Sequence, residues 1–366
     1  MNVPFFNYPR LIELHKEQYQ RAFDDVTSRG AYILQKDLKA FEENIKKFLG
    51  VKHAIGVADG TNALLLGLMA LDIKEGDEVI VPSHTFIASP ASIALRGATP
   101  VLADMADDGM LCPEDVKRKI TSKTKAIMPV QVNGRCCDMD SIMSIAKEHG
   151  LMVVEDAAQA LGAKYKDTPA GTFGAFGTFS LYPAKTLGCF GDGGLLVTND
   201  DDLAKKVLML RDHGRSPETG EIEIWGTNSR LDNLQASFLN VRLQGYEEEI
   251  NRRREIASRY NEAFKTLDDL ILPPAPEADV HFDIYQNYEL QSYSREALTT
   301  HLKEKGVGTL IQWSGKAIHQ HKALGFDADY PKTNAFFEKC FMIPMSTLLT
   351  DDDVNHVIDS IKSFYN

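Results

Sequence analysis

The chain lacks the marks of membrane, secreted and nucleic-acid-binding proteins. No apolar run approaches the roughly 20 residues that a helix needs to span a bilayer. The N-terminal stretch, MNVPFFNYPRLIELHKEQ, has no basic segment followed by an apolar one, so we expect no secretory signal. A formal net charge of −12 at pH 7 argues against a broadly basic surface for nucleic acid or anionic lipid. We therefore expect neither as a partner, and an anionic substrate would need a local basic pocket.

Cysteine is scarce, and its spacing fits neither a disulfide framework nor a metal site. The chain has five cysteines, with no C-x-x-C pair and no even number, at positions Cys112, Cys136, Cys137, Cys189 and Cys340. This pattern predicts reduced thiols and a cytoplasmic protein. His319 and His321 have no partnering cysteine or carboxylate spacing, so we expect no metal ion.

Short apolar runs rich in β-branched residues alternate with stretches of helical spacing. The predicted strands are His53–Val57, Glu78–Val81, Pro100–Ala103, Ala126–Val132, Leu151–Glu155, Thr178–Leu181 and Leu195–Thr198. Strands and helices in alternation predict an α/β fold with a mainly parallel sheet covered on both faces. Ligands of such sheets bind at the carboxyl ends of the strands. That edge is where we expect the functional residues.

The pattern changes after about residue 230. One long charged helix is predicted over Leu231–Leu267, and the proline-rich stretch LPPAPEAD then breaks the chain. Alternating and amphipathic segments over Val280–Asn366 predict a small α+β unit. We therefore expect a large domain over residues 1–245, which includes the N-terminal segment, and a smaller C-terminal domain over residues 246–366.

Two strand ends carry residues with both a structural and a functional interpretation. In AIGVADGTNALLLGL, the turn from strand to helix at Gly60 offers free N–H groups to a phosphate, and the structural alternative is that Thr61 or Asn62 caps an ordinary helix. In LMVVEDAAQALG, the Asp156 carboxylate ends a fully apolar strand, where burial is costly without a partner. That partner is either a cationic ring nitrogen or the following helix. Gln159 lies one helical turn further on and faces the same side.

The segment GTFSLYPAKTLGCFGDGGLLVTND is the most informative. Ser180 lies on an apolar strand, and Lys185 follows five residues later, before a turn rich in glycine. A lysine between two apolar strands is desolvated, and glycines let a bulky ligand approach the backbone. Desolvated lysine amines form Schiff bases, and a lysine with an aspartate partner is what pyridoxal phosphate (PLP) requires.

Taken together, these motifs resemble the DegT/DnrJ/EryC1/StrS sugar aminotransferases, which have the aspartate-aminotransferase fold (PLP fold type I). The resemblance covers nearly the whole chain, through five segments in the same order: RGAYILQKDLKAFEENIKKFLGVKHAIGVADGTNALLLGL, VPSHTFIAS, VEDAAQALGA, FSLYPAKTLGCFGDGG and GTNSRLDNLQASFL.

The resemblance implies a role for each matching residue at the cofactor. Lys185 would form the Schiff base and act as the acid and base of the proton shift, and Asp156 would pair with the pyridine nitrogen. Gln159 would lie near the ring hydroxyl. Phe86 would stack on the ring, although its alternative interpretation is a plain core residue.

The resemblance also implies how the cofactor phosphate is held. Gly60, Thr61 and Ser180 would bind it, and Asn228 would reach it from the neighbouring subunit of a homodimer with shared active sites. Arg230 is an alternative to Asn228 and also a candidate contact for the substrate diphosphate, and a surface loop is the structural alternative for Asn228.

The implied reaction moves an amino group from L-glutamate to a nucleotide-linked keto sugar, as in the biosynthesis of deoxy amino sugars for lipopolysaccharide or other glycans. Tyr182 and the segment with Gln312, Trp313 and Lys316 resemble members that aminate the 3-position, so a dTDP-linked 3-keto-6-deoxyhexose is the expected acceptor. Members that aminate the 4-position more often have histidine at position 182. Gln286 follows Tyr285 at a position where the family more commonly has histidine, so the resemblance implies no substrate contact for it.

Three alternatives remain open. The first is a 4-keto sugar as acceptor. The second is a dehydratase of the same family, but its variants replace the Schiff-base lysine with histidine, whereas Lys185 is intact. The third is a regulatory protein without turnover, which has no physical need for a buried lysine beside a carboxylate.

Overall fold

The computed structural model describes residues 1–276 and 280–366. Its helices are α1 (Tyr8–Leu14), α2 (Lys16–Arg29), α3 (Lys36–Leu49), α4 (Gly60–Ala70), α5 (Ala88–Ala94), α6 (Pro113–Lys119), α7 (Met139–His149), α8 (Asp201–Leu210), α9 (Asn233–Leu243), α10 (Tyr246–Phe264), α11 (Arg295–Glu304), α12 (Pro331–Phe337) and α13 (Asp351–Tyr365). Its strands are β1 (His53–Val57), β2 (Glu78–Pro82), β3 (Thr99–Ala103), β4 (Thr124–Ile127), β5 (Met152–Asp156), β6 (Lys164–Tyr165), β7 (Thr168–Pro169), β8 (Phe176–Ser180), β9 (Gly194–Thr198), β10 (Leu270–Ile271), β11 (His281–Phe282), β12 (Tyr288–Ser292) and β13 (Cys340–Ile343). None of the helices among these residues is long and apolar enough to cross a membrane.

A seven-stranded sheet forms the centre of the molecule, in the order β1-β9-β8-β5-β4-β2-β3. The five strands from β8 to β3 are parallel, and β9 runs antiparallel to both of its neighbours. Strands buried on both faces read as continuous apolar runs, which is why β5 and β9 could be recognised from the sequence. The predicted α/β fold with a mainly parallel sheet is confirmed.

A smaller core lies beside this sheet. It contains Ile256, Tyr260 and Phe264 of α10 together with apolar residues of β12, β13, α11 and α13, around the antiparallel sheet β10-β12-β13. Helix α10 joins the two regions, because Tyr246 and Ile250 near its start belong to the larger core. The boundary between residues 245 and 246 stays a prediction.

The first residues pack differently from our expectation for the N-terminal segment. Val3 is buried in the smaller core, where its N–H donates to Gly306 and its carbonyl accepts from Gly308. The backbone of a short extended segment can hydrogen-bond to any exposed backbone edge that is near in space. The sequence around Val3 therefore does not predict which part of the chain it contacts.

Two predicted elements differ in extent from those observed. The single helix predicted over residues 231–267 is two helices, α9 and α10, because the chain turns at Gly245, which is the N-cap of α10. The strand predicted over Ala126–Val132 ends at Ile127. Pro129 has no N–H for the ladder, and a short 3₁₀ turn over Val132–Gly134 follows.

Close backbone packing around β8 makes a testable prediction. A Cβ added to Gly177 would overlap the carbonyl oxygen of Gly171, so backbone must move to accommodate it. We expect Gly177→Ala to lower the free energy of unfolding by about 1–3 kcal/mol, as overpacked sites do. Gly245→Ala is the matched control, because the nearest atom to its added Cβ is 4.0 Å away. Urea unfolding of both variants measures the difference, and equal effects would contradict the close contact.

Candidate functional site

The carboxyl ends of β1, β5 and β8 bring the predicted residues to one edge of the central sheet. Asp156 is the last residue of β5, Ser180 is the last residue of β8, and Gly60 follows β1 as the first residue of α4. Because β5 and β8 are parallel neighbours and β1 runs in the same direction, these ends lie at the same edge. This is the edge at which parallel sheets bind ligands.

Asp156 is buried and hydrogen-bonded at the centre of this edge. Its Oδ2 accepts from the Ser89 hydroxyl at 2.7 Å, and its Oδ1 accepts from the backbone N–H of Ala158 at 3.1 Å. Burial raises the pKa of Asp156, whereas these hydrogen bonds and the charge of Lys185 act in the opposite direction. The carboxylate therefore engages the turn that follows β5 and lies in the field of the Lys185 amine, and its pairing with a cationic ring nitrogen stays a prediction.

Lys185 lies opposite Asp156 on the glycine-rich loop between β8 and β9. Burial lowers the pKa of its amine to about 8, although the negative charge of Asp156 opposes the shift. The loop closes tightly, because the Lys185 N–H donates to the Tyr182 carbonyl at 2.8 Å and a Cβ on Gly188 would lie 2.7 Å from that same oxygen. The sequence prediction that Lys185 is desolvated beside a carboxylate agrees with this geometry.

A cradle for an anion forms where α4 begins. Helix α4 is capped by the carboxylate of Asp59, which accepts from the N–H of Asn62 at 2.8 Å, and not by Thr61 or Asn62 as the structural alternative supposed. Among the described residues, the Thr61 hydroxyl has no hydrogen-bond partner. Ser180 lies close by, since a Cβ on Gly60 would be 3.0 Å from the Ser180 Cβ. N–H groups at a helix start and two hydroxyls suit a phosphate.

Gln159 belongs to a buried network of amides around Glu289. Its Oε1 accepts from the Asn133 N–H at 2.7 Å, and its Nε2 donates to Oε1 of Gln312 at 3.3 Å. The Gln312 amide in turn donates to Asn133 at 2.8 Å and to Glu289 at 2.9 Å. Burial raises the pKa of Glu289 to about 7, and the amide hydrogen bonds oppose this shift. The network holds the Gln159 amide in one orientation.

Comparison with known proteins decides what kind of site this is. A model of the DegT/DnrJ/EryC1/StrS aminotransferase family matches residues 13–362. The chain belongs to this family. Its fold is the aspartate-aminotransferase fold, PLP fold type I, as the resemblance implied.

Individual members of the family show how similar the chain is over its whole length. The dTDP-3-amino-3,4,6-trideoxy-alpha-D-glucose transaminase of Streptomyces venezuelae is 36% identical over 99% of this chain and 96% of its own. A pleiotropic regulatory protein of Geobacillus stearothermophilus is 35% identical over 100% of this chain and 99% of its own. The crystal structure of S. venezuelae DesV in complex with a ketimine intermediate superposes with a TM-score of 0.95, at 36% identity, over 99% of this chain and 98% of that one.

The site of this aminotransferase fits PLP by its own geometry. The Asp156 carboxylate is buried with no cationic side chain hydrogen-bonded to it among the described residues, which suits a cationic ring nitrogen, and Lys185 supplies a desolvated amine within its field. Phe86 is 53% exposed, so it is not a plain core residue and its ring is accessible for stacking. The helix start at Gly60 and Thr61 suits the phosphate. The roles of these residues at the cofactor remain predictions.

The residues predicted to contact the sugar are not equally available in this aminotransferase. Tyr182 is 52% exposed and lies near Tyr8 of α1. Burial raises the pKa of Tyr8, and the charge of Tyr182 adds to this shift. Lys316 is exposed. Trp313 packs edge-on against His84, with ring centroids 5.3 Å apart. Gln312 is buried and both ends of its amide are engaged, so in this conformation it orients Gln159 instead of facing a sugar.

Asn228 and Arg230 differ in how free they are to bind a phosphate. Asn228 is exposed, whereas the Arg230 guanidinium donates to Asp212 at 2.7 Å. Ser229 between them is buried and its hydroxyl accepts from the Ala58 N–H at 3.4 Å, so the backbone of this segment lies beside the end of β1 in the same chain. Of the two candidates, Asn228 is the one whose side chain is available.

Four polar residues contact the predicted site in ways that the sequence did not predict. They are Ser89, Asn133, Gln286 and Glu289, which contact Asp156, Gln159, the Lys185 loop and Gln312 respectively. Only Ser89 had a local signal, since Thr85 and Ser89 are hydroxyl residues one helical turn apart and bond each other at 2.6 Å. The other three come from distant parts of the chain, and loop or alternating segments gave no reason to select them.

The depressed pKa of Lys185 predicts a pH-dependent stability difference. The amine has a pKa of about 8 in the folded protein and 10.5 in the unfolded chain, so the unfolded state binds more protons between these values. Below pH 8 the folded state carries the cost of burying the protonated amine, and this cost to the free energy of unfolding is lost as the pH rises to 10.5. Lys185→Met removes this cost at every pH. The free energy of unfolding of the variant should therefore exceed that of the cofactor-free wild type by an amount that shrinks across this window by up to about 3 kcal/mol.

The measurement is urea unfolding of both proteins at intervals between pH 7.5 and 10.5. Lys125→Met, at an exposed position of β4, is the control and should show no such trend. A difference between Lys185→Met and wild type that stays constant with pH would show that Lys185 titrates as an ordinary lysine.

Proposed function

We propose that this aminotransferase transfers the amino group of L-glutamate to the 3-position of a dTDP-linked 3-keto-6-deoxyhexose, with PLP held at Lys185. The observation that carries the proposal is the pairing of the buried Asp156 carboxylate with the partly buried Lys185 amine at the carboxyl edge of the sheet. A carboxylate and an amine that both lose hydration form a poor stabilising element. Their placement has a chemical reason if the amine reacts.

PLP is the cofactor of this family, and when bound it supplies an electrophilic carbon and a ring that delocalises negative charge. The chain supplies the remaining functions. Lys185 anchors the cofactor and moves the proton, since an amine with a pKa of about 8 is present in both protonation states near neutral pH. Asp156 keeps a proton on the ring nitrogen. Gln159, which Asn133 and Gln312 orient, would bind the ring hydroxyl.

The phosphate would be bound from two sides. Gly60, Thr61 and Ser180 supply donors from one subunit, and the exposed Asn228 reaches across a homodimer to the site of its neighbour. The N–H groups at the start of α4 also carry the positive end of the helix dipole, which favours the phosphate charge. A cytoplasmic location belongs to the same proposal and agrees with the five free thiols.

The 3-position is supported by Tyr182 and by the name of the S. venezuelae relative, which is a transaminase of a dTDP-linked 3-amino sugar. Amination at the 4-position is the second candidate, because it requires only a different orientation of the sugar ring in the same pocket. A regulatory role has support in the name of the G. stearothermophilus relative. A regulator does not require a reactive amine, so the Asp156–Lys185 pair favours the enzyme.

The substrate assay uses the purified protein loaded with PLP. We expect L-glutamate alone to shift the visible absorption band, and 2-oxoglutarate to appear in one equivalent. Addition of dTDP-3-keto-6-deoxyglucose should then yield an amino sugar, identified by mass and NMR. The 4-keto isomer and the UDP-linked 3-keto sugar are run in parallel, and Lys185→Ala should fold but show no turnover.

The outcomes separate the candidates. Amination of the 4-keto sugar alone would contradict the proposed position, and preference for the UDP sugar would contradict the proposed nucleotide. An absorption band that does not respond to glutamate would contradict the enzyme and favour the regulator.

Sharing of the site between subunits predicts complementation in mixed dimers. Asn228→Asp places a carboxylate near the phosphate, so we expect this variant to lose most of its activity through charge repulsion. Lys185→Ala is inactive for a different reason. A dimer with one subunit of each variant has one site with both residues intact, provided that Asn228 acts on the neighbouring subunit.

The two variants are unfolded, mixed in equal amounts and refolded together. Random pairing should then restore about a quarter of the wild-type activity, since half of the dimers are mixed and each has one intact site. Mixing without refolding is the control. No recovery would show that Asn228 acts within its own chain, as the closeness of Ser229 to Ala58 would permit.

A further inference from the structure

We propose that Gln286 is a positioning residue for Lys185, because its side-chain amide bridges the two peptide groups that flank the lysine. The inference rests on the proposed role of Lys185 as the reactive amine. Gln286 Oε1 accepts from the Thr186 N–H at 2.8 Å, and Gln286 Nε2 donates to the Ala184 carbonyl at 2.8 Å. The residue is 6% exposed, so water does not substitute for these contacts.

The bridge requires an amide. The oxygen and the nitrogen of a carboxamide point the same way, so one side chain presents an acceptor and a donor side by side. A carboxylate has no donor, and the two nitrogens of an imidazole point in divergent directions.

The backbone of Gln286 is itself fixed from two sides. Arg253 of α10 is buried and donates to the carbonyls of Tyr285 at 3.1 Å and Gln286 at 3.2 Å. On the other side, the Ile284 N–H donates to the Gly134 carbonyl at 2.9 Å, and a Cβ on Gly134 would lie 2.9 Å from the backbone nitrogen of Gln286. The backbone that carries the Gln286 side chain is thus held against both the smaller core and the turn that follows β4.

Other residues besides Gln286 also hydrogen-bond to the Lys185 loop. The Thr186 carbonyl accepts from Arg242 at 2.9 Å, and the Thr186 hydroxyl bonds that of Tyr246 at 2.6 Å. These contacts hold Thr186 from the side of α9 and α10. Gln286 is the residue whose side chain contacts both neighbours of Lys185, so it fixes the direction in which the lysine leaves the loop.

The test replaces the amide while keeping its size. Gln286→Met removes the donor and the acceptor, and the loop should then relax and expose the lysine. Gln235→Met is the matched control, because Gln235 accepts from the Phe190 N–H at 2.8 Å in the same loop without flanking Lys185. Gln286→Asn, whose amide is too short to reach, replaces Gln286→Met if that variant does not fold.

The readout is the pH dependence of Lys185 acetylation by acetic anhydride in the full-length, cofactor-free chain, followed by peptide mass spectrometry. The midpoint should be about pH 8 in the wild type and in Gln235→Met. It should rise by about one pH unit in Gln286→Met, because exposure relieves desolvation. In the PLP-loaded protein, kcat should fall on the order of 10²-fold with little change in the KM for glutamate, as expected for a misplaced reactive group.

A Gln286→Met protein with reduced thermal stability but an unchanged labelling midpoint and kcat would show a purely structural role and overturn the inference. The labelling measurement does not depend on cofactor or substrate. It therefore still decides the role of Gln286 if the assays above contradict the proposed reaction.

Discussion

The fold buries Asp156 and partly buries Lys185, two groups of opposite charge, at one edge of a parallel sheet. Burial raises the pKa of the acid and lowers that of the amine, and their mutual attraction offsets only part of each shift. Such a pair survives only where the scaffold supplies the remaining hydrogen bonds and prevents the two groups from separating. Ser89 and Ala158 hydrogen-bond the Asp156 carboxylate, and the closed loop before β9 fixes the backbone of Lys185.

The glycines around this pair are explained by how closely its supporting segments approach one another. A Cβ on Gly194, at the start of β9, would overlap the backbone of Asp59, which caps α4. A milder restriction applies to Gly60, where an added Cβ would lie 3.0 Å from the Ser180 Cβ. The helix start that suits the phosphate and the loop that carries Lys185 are therefore packed directly on each other. A small displacement of one would be transmitted to the other, because close-packed backbone has no room to absorb it.

Much of this arrangement was predictable because its signals are local. The strand before Asp156 and the strands on either side of Lys185 are continuous apolar runs, and the order of the motifs identified the family and the fold. The orientation of the site was also predictable, since parallel strands place their carboxyl ends together. The ends of helices were harder to predict from local sequence, as the break at Gly245 between α9 and α10 shows.

The parts that could not be predicted are polar contacts between distant segments. Gln286 reaches the neighbours of Lys185 across about a hundred residues of sequence, as the separations of 100 and 102 in its two hydrogen bonds show. Glu289 reaches Asn133 across 156 residues. A glutamine or glutamate in an alternating segment predicts an exposed side chain, and only the packing of the smaller core against the turn after β4 buries these two.

Gln286 and Glu289 lie three residues apart and act on different parts of the same site. One contacts the loop of Lys185, and the other, through Gln312, orients Gln159. Apolar contacts alone would let the smaller core slide against the central sheet with little change in buried area. Two sets of directional hydrogen bonds from one short segment remove that freedom, because both cannot stay satisfied after a shift. The polar side chains of this segment therefore fix the register between the two cores, and with it the geometry around Lys185.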